Sequence, residues 1–265
     1  MSLCTDRDPQ AGLVRALKRL GSGGYAEVRW FADHGADPAG RREAILRAAR
    51  EIRPTVVFMQ LQAPDAVDVA TVREIRRLAD PICVVVTWNG DVASCNSPWK
   101  SEWQVPMGRA VDLTLHSSYS HAQVLRSLGV HTAAYLQIGY DQEQYRPAEA
   151  FTEIEYDVSF LGSRYGADVF SQSMKRHDAA LRDEVVEKMR EVFGDKFGLF
   201  GSGWGRPGGD QIVALDHAHE IYQRSKIGLS VSLNNDLECY TSDRLHRVLG
   251  CGALLLVKSF PMMSV

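Results

Sequence analysis

The stretch "YLQIGYDQEQYRP", Tyr135 to Pro147, separates two halves of the chain that have the same pattern. An apolar run stops near Gly139, and a polar segment with an acid and a proline follows it. The proline disfavours a helical conformation at Arg146. We interpret this stretch as the joint between an N-terminal domain at residues 1–140, a linker at 141–150 and a C-terminal domain at 151–265.

Helix and strand patterns alternate on both sides of this joint. Continuous apolar runs such as "TVVFMQL" and "ICVVVTW" precede it, and "YDVSFLG" and "KIGLSVSL" follow it. Strands that are apolar throughout need helices on both faces, which is typical of parallel sheets. The sequence therefore predicts an α/β fold with two doubly wound, Rossmann-like domains. The C-terminal half shows only four clear strands, and the opening "MSLCTD" matches only the end of a first strand. We therefore expect either an unusually compact protein or a chain that lacks parts at both ends.

Composition and charge narrow the class of protein. The chain has 265 residues, 45% of them hydrophobic, and a net charge of -3. The slight excess of negative charge disfavours nucleic acid as a partner. The longest apolar runs are too short to span a bilayer. Five cysteines without C-x-x-C spacing predict reduced thiols in a cytoplasmic protein rather than zinc ligands or a disulfide framework.

The first candidate binding residues follow strands of the C-terminal domain, where parallel sheets bind ligands. In "FLGSRYG", Gly162 permits close backbone approach, Ser163 supplies a hydroxyl, and Arg164 has a guanidinium suited to phosphate. A plain turn with a surface arginine explains the same residues equally well. In "FGSGWGRPGG", Trp204 is a candidate pocket wall, although a surface loop is the favoured interpretation, and the dinucleotide-binding fingerprint is absent.

A second group of candidates lies in "YTSDRLHRVLG". Ser242 or Asp243 is suited to cap the following helix, and Arg244 lies on its first turn within reach of a diphosphate. The alternative is that Asp243 and Arg244 form a local cap and ion pair.

The candidates of the N-terminal domain lie in "TWNGDVASCNSPW". Asp91 is a candidate catalytic base on a turn, although a turn-stabilising aspartate is the commoner case. Trp88 and Trp99 flank it and are candidates for stacking on a sugar or base, or else core residues. His116, at the end of a strand, is a second possible base or a structural histidine. His217 and His219 share no third ligand, so we predict no metal site.

Several of these segments together resemble a known family. "YLQIGYDQEQYRP" resembles the interdomain joint of GT-B glycosyltransferases, and "WNGDV" resembles a loop of their acceptor half. "YDVSFLGS", "IYQRSKIGLSVSLN" and "YTSDRLHRVLGCGALLLV" resemble the donor half of the spore-maturation-protein branch of the group 1 glycosyltransferases. The resemblance covers the chain from about Thr55 to its end.

The resemblance implies transfer of a sugar from a nucleotide-diphosphate sugar, without an essential metal and with no cofactor beyond this co-substrate. Gly162, Ser163 and Arg164 would then contact the diphosphate, and Ser242, Asp243 and Arg244 the sugar or phosphates of the donor. The candidate acceptor contacts are Trp88, Asn89, Gly90 and His116, and the acceptor is an unidentified glycan, protein or small molecule.

One position departs from the family pattern. Many members have a ribose-binding glutamate on the last helix, where this chain has Arg247. A non-catalytic nucleotide- or glycan-binding relative and a sugar-nucleotide epimerase therefore remain alternatives.

Overall fold

The computed structural model describes residues 1–4, 11–21, 24–28, 37–60, 67–92, 100–150, 152–164, 178–205 and 210–263. The chain divides into two compact units, Met1–Gln137 and Ile138–Val265. Trp99, one of the candidate stacking residues, lies outside the described residues, and so does Cys95.

The N-terminal unit is built on a parallel sheet whose strands follow one another in the order β1-β2-β3-β4-β5. The strands are β1 (Ser2–Cys4), β2 (Val56–Gln60), β3 (Val84–Asn89), β4 (Leu113–His116) and β5 (Ala133–Tyr135). A parallel bridge joins Ser2 to Glu27 on the side of β1 that β2 leaves open. After β1 the chain therefore first adds Glu27 on one side of that strand and then β2 on its other side. This reversal of direction within the sheet is typical of a doubly wound fold.

Helices connect these strands. They are α1 (Ala11–Leu20), α2 (Pro38–Ile52), α3 (Val69–Leu78), α4 (Val105–Ala110) and α5 (Tyr119–Ser127), with a π-helical turn at Lys100–Gln104 before α4. Four of the five described contain buried residues, α1 being the exception. Side chains cap several of them: Asp68 accepts a hydrogen bond from the Thr71 backbone N–H at 2.6 Å. Fully buried Leu3, Met59 and Ile75 belong to the core between sheet and helices.

The C-terminal unit repeats the design with a sheet of order β7-β6-β8-β9. Its elements are β6 (Tyr156–Leu161), α6 (Ala179–Phe193), β7 (Phe197–Phe200), α7 (Ala218–Gln223), β8 (Ser225–Ser230), α8 (Arg244–Gly250) and β9 (Leu254–Val257), with short 3-10 turns at Gly194–Lys196 and Leu215–His217. All pairings are parallel. The order reverses at β6, because β7 pairs on one side of it and β8 on the other.

The two sheets confirm the predicted fold class of two doubly wound, Rossmann-like domains. The core of the second unit contains the buried residues Val158, Phe160, Val186 and Leu199. Helix α8 packs closely on β8, since a Cβ built on Gly228 would lie 2.4 Å from Val248 Cγ2.

The segment predicted as a linker packs against helices of the C-terminal unit. Tyr145 is 4% exposed, its hydroxyl donates to the Leu215 carbonyl at 3.2 Å, and the Arg247 guanidinium lies 5.1 Å from its ring centroid. Gln223 Nε2 donates to the Arg146 carbonyl at 2.7 Å. The residues after Gly139 are therefore anchored to α7, α8 and the turn before α7.

Candidate functional site

The carboxyl ends of β6 and β8 lie side by side at the point where the strand order of the C-terminal unit reverses. Doubly wound sheets bind their ligands at this position. The loop after β6 is joined to the loop after β7, because the Gly162 N–H donates to the Phe200 carbonyl and the Arg164 N–H donates to the Ser202 carbonyl, both at 2.8 Å. The loops that carry the predicted donor residues thus form one connected edge.

Among the predicted site residues, Arg244 has the surroundings best suited to binding an anion. Its Nη1 donates to the Leu161 carbonyl at 3.4 Å and its Nη2 to the Val231 carbonyl at 3.2 Å, so it spans the ends of β6 and β8. In the part of the chain that the structure describes, its Nε is buried without a partner and no carboxylate pairs with it. A positive charge held only by carbonyl dipoles is well placed to attract phosphate.

Gly162 lies directly beside this guanidinium. A Cβ at Gly162 would lie 3.2 Å from Arg244 Nη1 and 2.9 Å from the Phe160 ring. The Arg244 guanidinium is also 5.3 Å from the centroid of that ring. The structure therefore brings two of the predicted donor residues together, and the lack of a side chain at Gly162 makes room for the arginine.

Ser163 and Arg164 follow, and their side chains have different partners. Ser163 Oγ accepts a hydrogen bond from Ser202 Oγ at 3.0 Å. Arg164 Nε donates to the Asp183 carboxylate at 2.9 Å, and its guanidinium lies 6.0 Å from the Trp204 ring. This ion pair is partly exposed and therefore contributes little stability. A phosphate would replace Asp183 as the partner of Arg164 at little cost in free energy.

Trp204 has a supporting position rather than that of an open pocket wall. It is 4% exposed, its Nε1 donates to the Gly162 carbonyl at 2.7 Å, and its ring meets Phe160 edge to face. The Asp210 carboxylate holds the loop by accepting from the N–H groups of Gly203 and Trp204. This burial argues against direct contact between Trp204 and a ligand.

Ser242 and Asp243 form the cap region of α8. Ser242 Oγ accepts from the Arg244 N–H at 3.4 Å and donates to the Asp243 carboxylate at 3.0 Å. Asp243 pairs with Arg247 at 2.6 Å, one helical turn later, and not with Arg244 as the alternative interpretation expected. The charge of Arg247 is thereby neutralised.

Residues that the sequence analysis did not single out hold the loop after β8. Asp178, just before α6, accepts from both the backbone N–H and Nδ2 of Asn235, each at 2.7 Å. Arg182 on α6 is 4% exposed and donates to carbonyls at the ends of β6 and β8. A charged residue inside an amphipathic helix pattern indicates solvent exposure, so periodicity alone did not reveal Arg182.

In the N-terminal unit, Asp91 lies directly after β3 and is exposed. The turn is held by Asn89, whose Oδ1 accepts from the Asp91 N–H at 2.9 Å, and by Ser117, whose Oγ donates to the Gly90 carbonyl at 2.8 Å. Trp88 is partly buried, and its Nε1 donates to the Leu136 carbonyl at 3.2 Å. Asn89 and Gly90 thus shape the turn that presents Asp91.

His116 is buried at the end of β4, with 1% of its surface exposed. Its Nδ1 accepts from the Ser118 N–H at 3.1 Å, and its ring stacks on His121 with the centroids 4.8 Å apart. In this geometry the imidazole has a structural role, which argues against its predicted contact with an acceptor.

Histidines and cysteines elsewhere show no metal centre within the described ranges. No three His, Cys, Asp or Glu side chains gather there. His217 pairs with Glu220 at 2.7 Å, and this hydrogen bond raises the pKa of His217. Cys83 and Cys251 are free thiols, and burial raises the pKa of Cys251 to about 12. No described helix combines the length and apolar character needed to cross a bilayer.

The C-terminal unit is similar to a known protein family. A family model described as glycosyl transferase-like matches residues 176–263, about a third of the chain. The match includes Arg182, the Asn235 loop and all of α8. No curated protein matches the chain.

Solved structures extend the likeness to the whole chain at the level of fold. A putative UDP-N-acetylglucosamine 2-epimerase from Listeria monocytogenes has a TM-score of 0.55 at 12% identity, covering 97% of this chain and 78% of that one. The S. aureus MnaA–UDP co-structure has a TM-score of 0.51 at 10% identity, covering 86% and 72%. The chain therefore has two Rossmann-like domains of the GT-B type. Its place in the spore-maturation-protein branch stays a prediction.

Proposed function

We propose that this protein is a glycosyltransferase that moves a sugar from a nucleotide-diphosphate sugar to an acceptor. The C-terminal unit would bind the donor and the N-terminal unit the acceptor. The observation that carries the proposal is Arg244, a guanidinium at the reversal of the sheet that no carboxylate of the described residues pairs with. It lies within the segment similar to glycosyl transferase-like proteins.

The proposed reaction needs stabilisation of a leaving diphosphate. The bond between the anomeric carbon and the phosphate oxygen breaks, and the diphosphate leaves with the electron pair. Arg244 would stabilise its charge, and Arg164 would join by exchanging Asp183 for phosphate. Two guanidinium groups in this arrangement would support catalysis independent of a metal.

The acceptor hydroxyl would attack the anomeric carbon and release its proton to a base. Asp91 is our candidate, since it is an exposed carboxylate on a held turn at the carboxyl end of β3. An aspartate base of this kind favours inversion of the anomeric configuration.

The role of Asp91 separates turnover from donor binding. We expect Asp91→Asn to lower kcat by about 100-fold or more while the donor dissociation constant stays within about twofold. Calorimetric titration and a diphosphate-release assay measure the two quantities. Equal turnover by the variant would remove Asp91 from the mechanism.

The donor site is tested with a thermal-shift screen of UDP, GDP, ADP, CDP and dTDP, each with and without its sugar. A ligand that binds only the folded state raises the melting temperature, so we expect one base to give a specific shift. Arg244→Ala should abolish the shift and Arg164→Ala should reduce it. Arg190→Ala is the matched control, because Arg190 is also an arginine of α6 and pairs with Glu187 on the same helix. No shift from any nucleotide would contradict the proposal.

A second candidate is a non-catalytic relative that binds a nucleotide or glycan. It is favoured by Arg247, which occupies the position where the resemblance predicts a ribose-binding glutamate and is already engaged by Asp243 and Tyr145. Saturable binding of a nucleotide sugar without release of diphosphate, with or without acceptors, would favour this candidate.

A further inference from the structure

Arg182 has a position that is unusual for a charged residue. It lies on the first turns of α6, yet 4% of its surface is exposed. Burying a guanidinium costs several kcal/mol unless its donors are satisfied. The partners that satisfy Arg182 therefore show what the residue is placed to do.

Two of those partners are backbone carbonyls, one on each side of the reversal of the sheet. Arg182 Nε donates to the Val231 carbonyl at 3.0 Å, and Nη1 donates to the Ser163 carbonyl at 3.2 Å. Val231 follows β8, and Ser163 follows β6 by two residues. One rigid, planar group thus fixes the spacing between the two loops that flank the candidate anion site.

Arg182 is also coupled to Arg244 through a shared acceptor. Nη2 of Arg244 donates to the same Val231 carbonyl at 3.2 Å, and both guanidinium groups lie within 5.7 Å of the Phe160 ring centroid. The position of Arg244 depends on where Arg182 holds Val231.

We propose that Arg182 is a positioning residue for diphosphate binding: by holding the Ser163 and Val231 carbonyls, it sets the geometry of Arg244 and the β6 loop. This inference rests on the proposed function and deepens it, because it assigns a positioning role to a buried residue that does not itself contact the ligand. It separates Arg182 from Arg190, the other arginine of α6, whose side chain is 36% exposed and pairs with Glu187.

The test uses the full chain and titrates UDP and inorganic pyrophosphate into four proteins: wild type, Arg182→Ala, Arg182→Lys and the control Arg190→Ala. We expect Arg182→Ala to weaken both ligands about tenfold or more, and Arg190→Ala to leave them within about twofold. Lysine keeps the charge but lacks the planar fork that joins two carbonyls, so Arg182→Lys should also weaken binding about fivefold or more.

Chemical rescue distinguishes positioning from a loss of stability. Guanidinium chloride at about 5 mM, far below denaturing concentrations, should restore several-fold affinity to Arg182→Ala and should not improve wild type or Arg190→Ala. A generally weakened fold would gain nothing from this ion. If Arg182→Ala does not fold, Arg182→Lys decides the question by itself.

The outcomes separate this inference from the proposed function. Wild-type affinity in Arg182→Lys, or weakened binding in Arg182→Ala without rescue, would overturn the role of Arg182 and leave the donor site standing. Binding of pyrophosphate but not of UDP or the other nucleoside diphosphates would overturn the proposed function. The role of Arg182 would then still be tested by the affinities of the variants for pyrophosphate. A wild type that binds neither pyrophosphate nor any of the five nucleoside diphosphates would overturn both.

Discussion

Three arginines near the carboxyl ends of β6 and β8 carry the same charge but have different partners. Arg247 pairs with Asp243, Arg164 pairs with Asp183, and Arg244 donates only to carbonyls among the described side-chain contacts. Exposed ion pairs contribute little, so Arg164 remains available to a ligand. Neutralisation by neighbours, rather than residue type, therefore distinguishes the candidate anion-binding residues.

At the residue scale we predict that Gly228→Ala destabilises the C-terminal unit. The new Cβ would lie 2.4 Å from Val248 Cγ2, and neither β8 nor α8 can move without disturbing the sheet. Overpacking of this kind costs about 1–3 kcal/mol, which urea denaturation measures.

The control for this prediction is Gly139→Ala. Apart from its chain neighbours, no described residue has an atom within 4 Å of a Cβ built on Gly139, so the free energy of unfolding should change by less than about 0.5 kcal/mol. Equal denaturation midpoints for the two variants would contradict the packing of α8 on β8.

At the scale of elements, the segment after Gly139 and helix α8 behave as one packed structure. The Tyr140 ring lies parallel to His246 with the centroids 6.3 Å apart, and Tyr145 lies beneath the Arg247 guanidinium. Burial raises the pKa of Tyr145 to about 12, so its hydroxyl stays protonated and continues to donate to Leu215. The segment from Tyr140 to Tyr145 is thus held against the C-terminal unit.

Helix α8 also predicts a pH dependence through His246. Burial lowers the pKa of His246, and Asp243 opposes this only in part. The unfolded chain therefore binds the proton more readily, so the free energy of unfolding should fall as the pH drops through about 6.5. His246→Gln should make the decline shallower, as measured by urea denaturation between about pH 5 and 8.

His217→Gln is the contrasting control for that measurement. The hydrogen bond to Glu220 raises the pKa of His217, so any contribution of this exposed pair is present at low pH and is lost as the pH rises. An unchanged pH profile in His246→Gln would show that His246 is not desolvated in the folded protein.

At the scale of the whole molecule, each unit has a hydrophobic core of its own. Val85 belongs to the core of the N-terminal unit and Val186 to that of the C-terminal unit, and both are fully buried. Proteins with separate cores need not unfold in one step. We therefore expect calorimetry to resolve two transitions.

The two transitions are assigned with one variant in each core. Val85→Ala should lower one melting temperature by several degrees and Val186→Ala the other, because each leaves a small cavity. A nucleoside diphosphate should raise only the transition that Val186→Ala lowers. A single transition shifted equally by both variants would contradict independent unfolding.

The local sequence pattern was sufficient to predict most strands and helices. It failed where residues inside an element resemble residues that end one. The apolar runs at β2, β3, β6 and β8 were all recognised as strands. Helix α4 was not, because Pro106 and Gly108 inside it resemble helix breakers. Proline is tolerated in the first turn of a helix, and Gly108 is required by packing, since a Cβ there would lie 2.6 Å from Val130.

By itself, the sequence determined the alternation of helices and continuously apolar strands, and hence two parallel, doubly wound sheets. It also placed Gly162 and Ser163 directly after a strand and Arg244 on the first turn of a helix, because strand periodicity, turn residues and helix caps are local properties. Only the tertiary structure decided that β8 lies beside β6, that Arg244 reaches a carbonyl 83 residues earlier in the chain, and that Arg182, Trp204 and His116 are buried. The physical reason is that solvent exclusion and the choice of hydrogen-bond partner depend on segments far apart in the chain, which no local pattern encodes.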